Sequence, residues 1–156
     1  MPNETITAPQ TTANPSQGKQ QVADKNIEDI YLLSPMQQGL LFHTLLEPNS
    51  DSYFLQTSWT IESDLNVGAL REAWQLAIDR HPILRTACFW EGRAKPVQVV
   101  RRKVKLPLTE EDWRGMSEDE QQRLFDQRLF ADRRLGFNLS QAPLMRLLLI
   151  QLSDSR

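Results

Sequence analysis

The chain has 156 residues, 40% of them hydrophobic, with 18 basic and 20 acidic side chains and a formal net charge of −2. A near-neutral balance lacks the strong positive field that nucleic-acid binding needs, and no apolar run is long enough to span a membrane. One cysteine, Cys88, rules out an intramolecular disulfide, and the polar N-terminus lacks the basic and apolar regions of a secretory signal, so a reducing, cytoplasmic setting is expected.

Residues 1–26 contain no Leu, Phe, Tyr or Trp and cannot bury enough apolar surface to offset their ordering entropy; they read as a disordered leader. Apolar residues become dense from Ile27. Ser34, Pro35 and Gln37 then form a helix start, with a capping hydroxyl, a proline at the first helical position and a glutamine completing a capping box. The helix is predicted over 35–46. Its apolar residues Met36, Leu40, Leu41, Phe42 and Leu45 cover a broad face, implying burial on more than one side, and Gly39 suits close helix packing.

Residues 53–62 alternate as a strand, with Tyr53, Leu55, Trp59 and Ile61 on one face. A second helix is predicted over 67–81, where Val67, Leu70, Trp74, Ala77, Ile78 and His81 recur at helical spacing between a capping Asn66 and a terminating Pro82. Residues 84–91 and 96–104 read as two strands of a hairpin turning around Gly92. A loop is expected at 112–115. The third helix is predicted to begin at Ser117, with Glu120 completing a capping box, and to end near Gly136. The apolar run 144–152 reads as a strand buried on both faces, the alternative being a helical end-piece of a complete small fold. Together these elements predict an α/β layered unit. The final strand demands more neighbours than the other elements supply, which points to a cut domain.

No constellation of catalytic residues emerges from the spacing. The two histidines, His43 and His81, lie on separate helices, and one cysteine without metal-ligand spacing argues against a metal site. Ser34, Cys88 and His81 could be imagined as parts of a hydrolase, but a helix cap, a small strand residue and a helix-terminal group account for them. No nucleophile elbow or glycine-rich phosphate loop is present. Arg93, Lys95, Arg101, Arg102, Lys103 and Lys105 fall on the expected hairpin. They read either as a solvated face balanced by Glu110, Glu111 and Asp112, or as a contact for an acidic partner such as a carrier domain.

Three blocks in order carry a family resemblance: IYLLSPMQQGLLFH at 30–43, RHPILRTACF at 80–89 and RLGFNLSQAPLMRLLL at 134–149. Residues 26–156 thereby resemble the N-terminal part of the condensation domains of nonribosomal peptide synthetases. Leu33 stands where the family usually has proline and Asn138 where it has aspartate. The wording of the first block is similar to the subtype that accepts a D-configured donor and argues against the related epimerization domain. The resemblance implies a chloramphenicol acetyltransferase-like fold, of which 27–156 would form the incomplete N-terminal lobe. It also implies joining of a peptidyl thioester to an aminoacyl thioester, both carried on phosphopantetheine of partner carrier domains, with no directly bound cofactor.

The family's catalytic HHxxxDG motif is expected beyond Arg156, so no catalytic residue is assigned here and the chain alone is expected to form no amide bond. The resemblance implies that Arg85 braces the HHxxxDG loop by pairing with its aspartate. Arg80 matches the second arginine of that block and is either a bracing residue or an exposed helix-end cation. Residues 24–39, DKNIEDIYLLSPMQQG, resemble an acceptor docking segment for an upstream synthetase subunit, with Lys25, Glu28 and Asp29 as charge-pair candidates; the other reading is a linker. Further partners expected are the carrier domains and the rest of the chain's own synthetase, with no nucleic acid and no membrane. The alternative to an acyl-transfer enzyme is a docking or scaffold fragment.

Overall fold

The computed structural model describes residues 24–47, 50 and 52–154. The expected leader lies outside the described residues up to position 23, whereas Asp24–Asn26 form a turn against the first sheet. The elements, in order, are β1 (Ile27–Leu32), α1 (Pro35–Leu46), α2 (Val67–Arg80), a 3-10 turn (Pro82–Arg85), β2 (Thr86–Phe89), β3 (Val97–Arg101), β4 (Leu108–Asp112), α3 (Glu118–Leu135) and β5 (Leu147–Gln151).

The helices form where their caps predict. Ser34 Oγ accepts from Gln37 N, and Gln37 Oε1 accepts from Ser34 N at 2.8 Å, closing the capping box of α1. Asn66 Oδ1 accepts from Ala69 N at 2.9 Å to start α2, which ends at Arg80 with His81 as its cap. Ser117 N and Ser117 Oγ both donate to Glu120 Oε2 at the start of α3, and Gly136 takes a φ of 58° at its end, a conformation that suits glycine.

Two sheets result. The first is antiparallel in the order β1-β3-β2, with Leu32 opposite Val97 and Thr86 opposite Val100. The second pairs β4 with β5 in parallel, from Leu108 opposite Leu147 to Asp112 opposite Gln151. A parallel pair needs a crossover, and α3 supplies it, making β4-α3-β5 a βαβ unit. The core lies under the first sheet and its junction with the second: Ile78 and Ala87 are fully buried, joined by Val99, Val100, Leu106 and Trp113.

Several expectations are corrected. Residues 53–62 have no ladder partner among the described residues and run as irregular chain. Phe54 and Gln56 turn inward: Phe54 stacks on Phe137 with ring centroids 5.4 Å apart, and Gln56 Nε2 donates to Leu129 O and Asp132 Oδ2. The apolar residues placed on one face of the expected strand, Leu55 and Trp59 among them, point to solvent. On α1 only Leu41 is buried, and Met36 and Phe42 are exposed because no described element covers that side. Gly39 makes no close packing contact, since an added Cβ would meet nothing within 4 Å.

Strands β1 and β4 escape the sequence pattern. Their sequences, IEDIYL and LTEED, are rich in acids, which suit edge positions and blur the alternation. The expected loop at 112–115 consequently starts one residue inside β4. The predicted 84–91 strand shortens because Leu84 and Arg85 belong to the 3-10 turn. The final strand is only half-buried, with Leu148 exposed, since β4 flanks it on one edge and no described strand on the other.

Candidate functional site

Arg85 is a buried cation with four hydrogen bonds among the described residues. The 3-10 turn carries its side chain under the first sheet, where it is 4% exposed. Its Nε donates to Ile78 O at 3.1 Å, and Nη1 donates to Glu28 Oε2 at 2.5 Å and to the carbonyls of Arg101 and Arg102. A buried guanidinium loses its hydration, and these acceptors replace it. One side chain thus ties α2, β1 and the end of β3 together. Among the described residues Nη2 donates no hydrogen bond.

The other expected residues are dispersed. Arg80 is exposed in the last turn of α2, facing the negative end of the helix dipole. Glu28 is the partner of Arg85, which gives it a structural task that the docking reading did not anticipate. Asp29 accepts from Tyr31 Oη at 2.5 Å and from Ile30 N. The Tyr31 hydroxyl and the Ile30 amide hold the Asp29 carboxyl below its ordinary range, and the Asp29 carboxylate raises the phenol. Lys25 is exposed beside Asp24.

The six-residue basic cluster divides. Arg93 and Lys95 lie in the β2–β3 turn, whereas Arg102, Lys103 and Lys105 follow the opposite end of β3. Arg101 between them pairs with Asp24 and sits over the Phe89 ring. The acidic run does not balance this cluster: Glu110 pairs with Arg71, Glu111 with Arg128, and Asp112 with Arg114.

Asn26, Gln75 and Arg146 are the organising residues that sequence reasoning missed. Asn26 and Gln75 hold the segment after β3 through their side-chain amides. Arg146 lies 4.3 Å from the Phe137 ring centroid, donates to Gly136 O and Asp132 O, and pairs with Asp132. Its place in the third sequence block was the available signal; the two amides offered none.

The hydrolase candidates remain separate. Ser34 is a helix cap, His81 is exposed, and burial pushes the Cys88 thiol up, which suppresses the reactive thiolate. Among the described residues no group of three or more His, Cys, Asp or Glu side chains is placed to hold a metal ion, and no helix is long and apolar enough to cross a membrane.

The architecture is that of the chloramphenicol acetyltransferase-like fold. Against the first condensation domain of the CDA synthetase the TM-score is 0.68 at 19% identity, covering 83% of this chain and 34% of that one. A four-domain nonribosomal peptide synthetase bound to AMP and glycine gives 0.70 at 19% identity, covering 83% and 10%. The family model described as Condensation domain matches residues 27–156, and the chain belongs to that family, carrying the N-terminal part of the domain.

Curated relatives are peptide synthetases. A linear gramicidin synthase of Brevibacillus parabrevis is 47% identical over 131 residues, 84% of this chain and 3% of the relative. Malpinin synthetase of Mortierella alpina is 42% identical over 131 residues, 84% and 2% respectively. The chain thus spans a few per cent of the length of the curated synthetases that it matches.

Proposed function

We propose that residues 27–156 form the front part of a peptide-bond-forming condensation domain acting on substrates borne by phosphopantetheine of carrier domains. The family match across residues 27–156 carries this reading. In that reaction an aminoacyl amine attacks the donor thioester carbonyl, the C–S bond breaks, the thiol leaves on its carrier arm and the amine loses a proton. The chain's histidines, His43 within α1 and His81 at the cap that follows α2, stand apart and are not the base. Its own residues supply scaffold.

Within that scaffold, Arg85 holds the sheet end and offers Nη2 to the aspartate of the HHxxxDG loop, a positioning role. The burial of the guanidinium, and an Nη2 that donates no hydrogen bond among the described residues, support this assignment. Amide formation is tested with carrier-bound donor and acceptor. A synthetase polypeptide containing residues 27–156 together with HHxxxDG should give condensed product, and the isolated 156-residue chain should give none above a carrier-only control. Product from the isolated chain, or none from the complete domain, would overturn the reading.

Docking to an upstream synthetase subunit through residues 24–39 is the companion proposal, supported by the exposed positions of Lys25 and Asp29. Because Glu28 also holds Arg85, the clean test is Lys25→Glu, which should weaken transfer from the upstream subunit while leaving the melting temperature unchanged. Unaltered transfer would favour a linker.

A further inference from the structure

The segment leaving β3 combines a fixed backbone with unneutralised charge. Arg102 N donates to Asn26 O at 2.8 Å, Lys103 N to Asn26 Oδ1 at 2.9 Å, and Asn26 Nδ2 to Lys103 O at 3.1 Å. From the other side Gln75 Nε2 donates to Val104 O at 2.9 Å and Gln75 Oε1 accepts from Leu106 N at 3.0 Å. Leu106, 5% exposed, anchors the far end in the core. Irregular backbone held this way behaves like a short rigid element, so the side chains of Arg102, Lys103 and Lys105 leave from fixed positions.

All three are exposed, and none forms an ion pair among the described residues. Six arginines, Arg71, Arg85, Arg101, Arg114, Arg128 and Arg146, reach carboxylates; what distinguishes the segment after β3 is that three exposed cations leave one held stretch of backbone. With Gln75 and Asp79, the segment lines an open depression of about 500 Å³. The backbone bonds fix the points from which these three like-charged side chains leave the chain. The resulting local positive potential stands out on a chain whose net charge is −2.

We infer that Arg102, Lys103 and Lys105 form a docking platform for a cluster of carboxylates on a partner protein domain. An acidic protein face fits better than nucleic acid. The Asp79 carboxylate, fixed by Gln75 Nε2 at 3.0 Å, interrupts the positive surface and would repel a continuous polyanion, whereas discrete carboxylates can be spaced around it. The inference rests on the proposed carrier-borne chemistry for its partner, an acidic face of a carrier domain, and contact through exposed charges governs on-rate and selection more than tight affinity.

The test measures binding of the 156-residue chain to a carrier domain of the synthetase in its apo form, without the phosphopantetheine arm, by fluorescence anisotropy at low and high salt. Arg102→Glu/Lys103→Glu/Lys105→Glu should weaken binding about tenfold or more at low salt, and the difference should shrink at about 1 M salt, where screening is nearly complete. Arg93→Glu/Lys95→Glu, at the other end of β3, should leave affinity within about twofold, the range expected of charges outside the contact. Circular dichroism and a neutral Arg102→Gln/Lys103→Gln/Lys105→Gln variant exclude unfolding as the cause.

Unchanged affinity in the triple variants, or equal loss in the turn variant, would overturn the platform. Binding of coenzyme A that depends on these residues, without binding of the apo carrier, would also overturn it by making the ligand a phosphate. Amide formation by the complete domain is scored separately. If it persists while apo-carrier binding is insensitive to the triple variants, this inference alone fails; if the unsubstituted domain forms no amide, the catalytic reading fails.

Discussion

Glu28 and Arg85, separated by 57 positions, meet at 2.5 Å beneath the first sheet. The arginine side chain is 5% exposed and the glutamate 38%, so the pair sits at the boundary between core and solvent. Removing Glu28 leaves a buried cation with carbonyl acceptors still in place. Glu28→Ala should therefore cost about 1–2 kcal/mol, less than the breaking of a fully buried pair. Arg85→Ala should cost about 3–5 kcal/mol, and Arg85→Lys should recover only part, because one ammonium cannot reproduce the forked contacts. Urea unfolding of the three variants gives the ranking.

Gln75 clamps Val104 and Leu106 through both ends of its amide. Gln75→Ala strands an acceptor and a donor on partly buried backbone, and a loss of about 1–2 kcal/mol is expected. The distinguishing signature is local: amide exchange at Leu106 should accelerate more than exchange at Val99 in the middle of β3. Uniform acceleration at both would show global destabilisation instead of a loosened segment.

Asp112 provides a pH dependence. Side-chain and backbone hydrogen bonds from Arg114 lower its carboxyl from 3.8 to about 2. A carboxyl depressed in the folded state contributes stability that is present above its unfolded value and disappears as pH falls through the folded one. The contribution is thus complete above pH 3.8 and lost towards about 2. Tm measured across that window should fall less steeply for Asp112→Asn than for the parent chain. High salt should narrow the difference, since the pair is exposed.

Arg146 joins α3 to the start of β5 by stacking on Phe137 and bonding the helix-end carbonyls. Arg146→Lys keeps the charge and loses the planar fork, so a cost of about 1–3 kcal/mol is expected, with Arg146→Met no better despite its apolar stem. Equal stability of the Lys variant in thermal or urea unfolding would refute a role for the guanidinium plane.

The helices were legible because their ends are written locally: Ser34 with Gln37, Asn66, and Ser117 with Glu120 each announce a start within four residues. The hairpin was legible from its β-branched run. Strands β1 and β4 were not, because Glu28, Asp29, Glu110 and Glu111 make them polar, and only pairing with β3 and β5 reveals them as strands. The family blocks pointed to Arg85, yet Glu28 as its partner is a tertiary fact that no local pattern encodes. Charge counting failed similarly: the acids at 110–112 are adjacent to the basic segment in sequence but are engaged by Arg71, Arg128 and Arg114.

The clasp formed by Asn26 has a mechanical consequence. A pull on the backbone ahead of Asp24 does not reach the sheet by peeling β1 from its end. It first meets the Asp24–Arg101 pair and the three Asn26 bonds acting together. Tension arriving there is handed to residues 101–103 without passing through a helix, so a tug on one end of β1 is felt directly by the charged segment after β3.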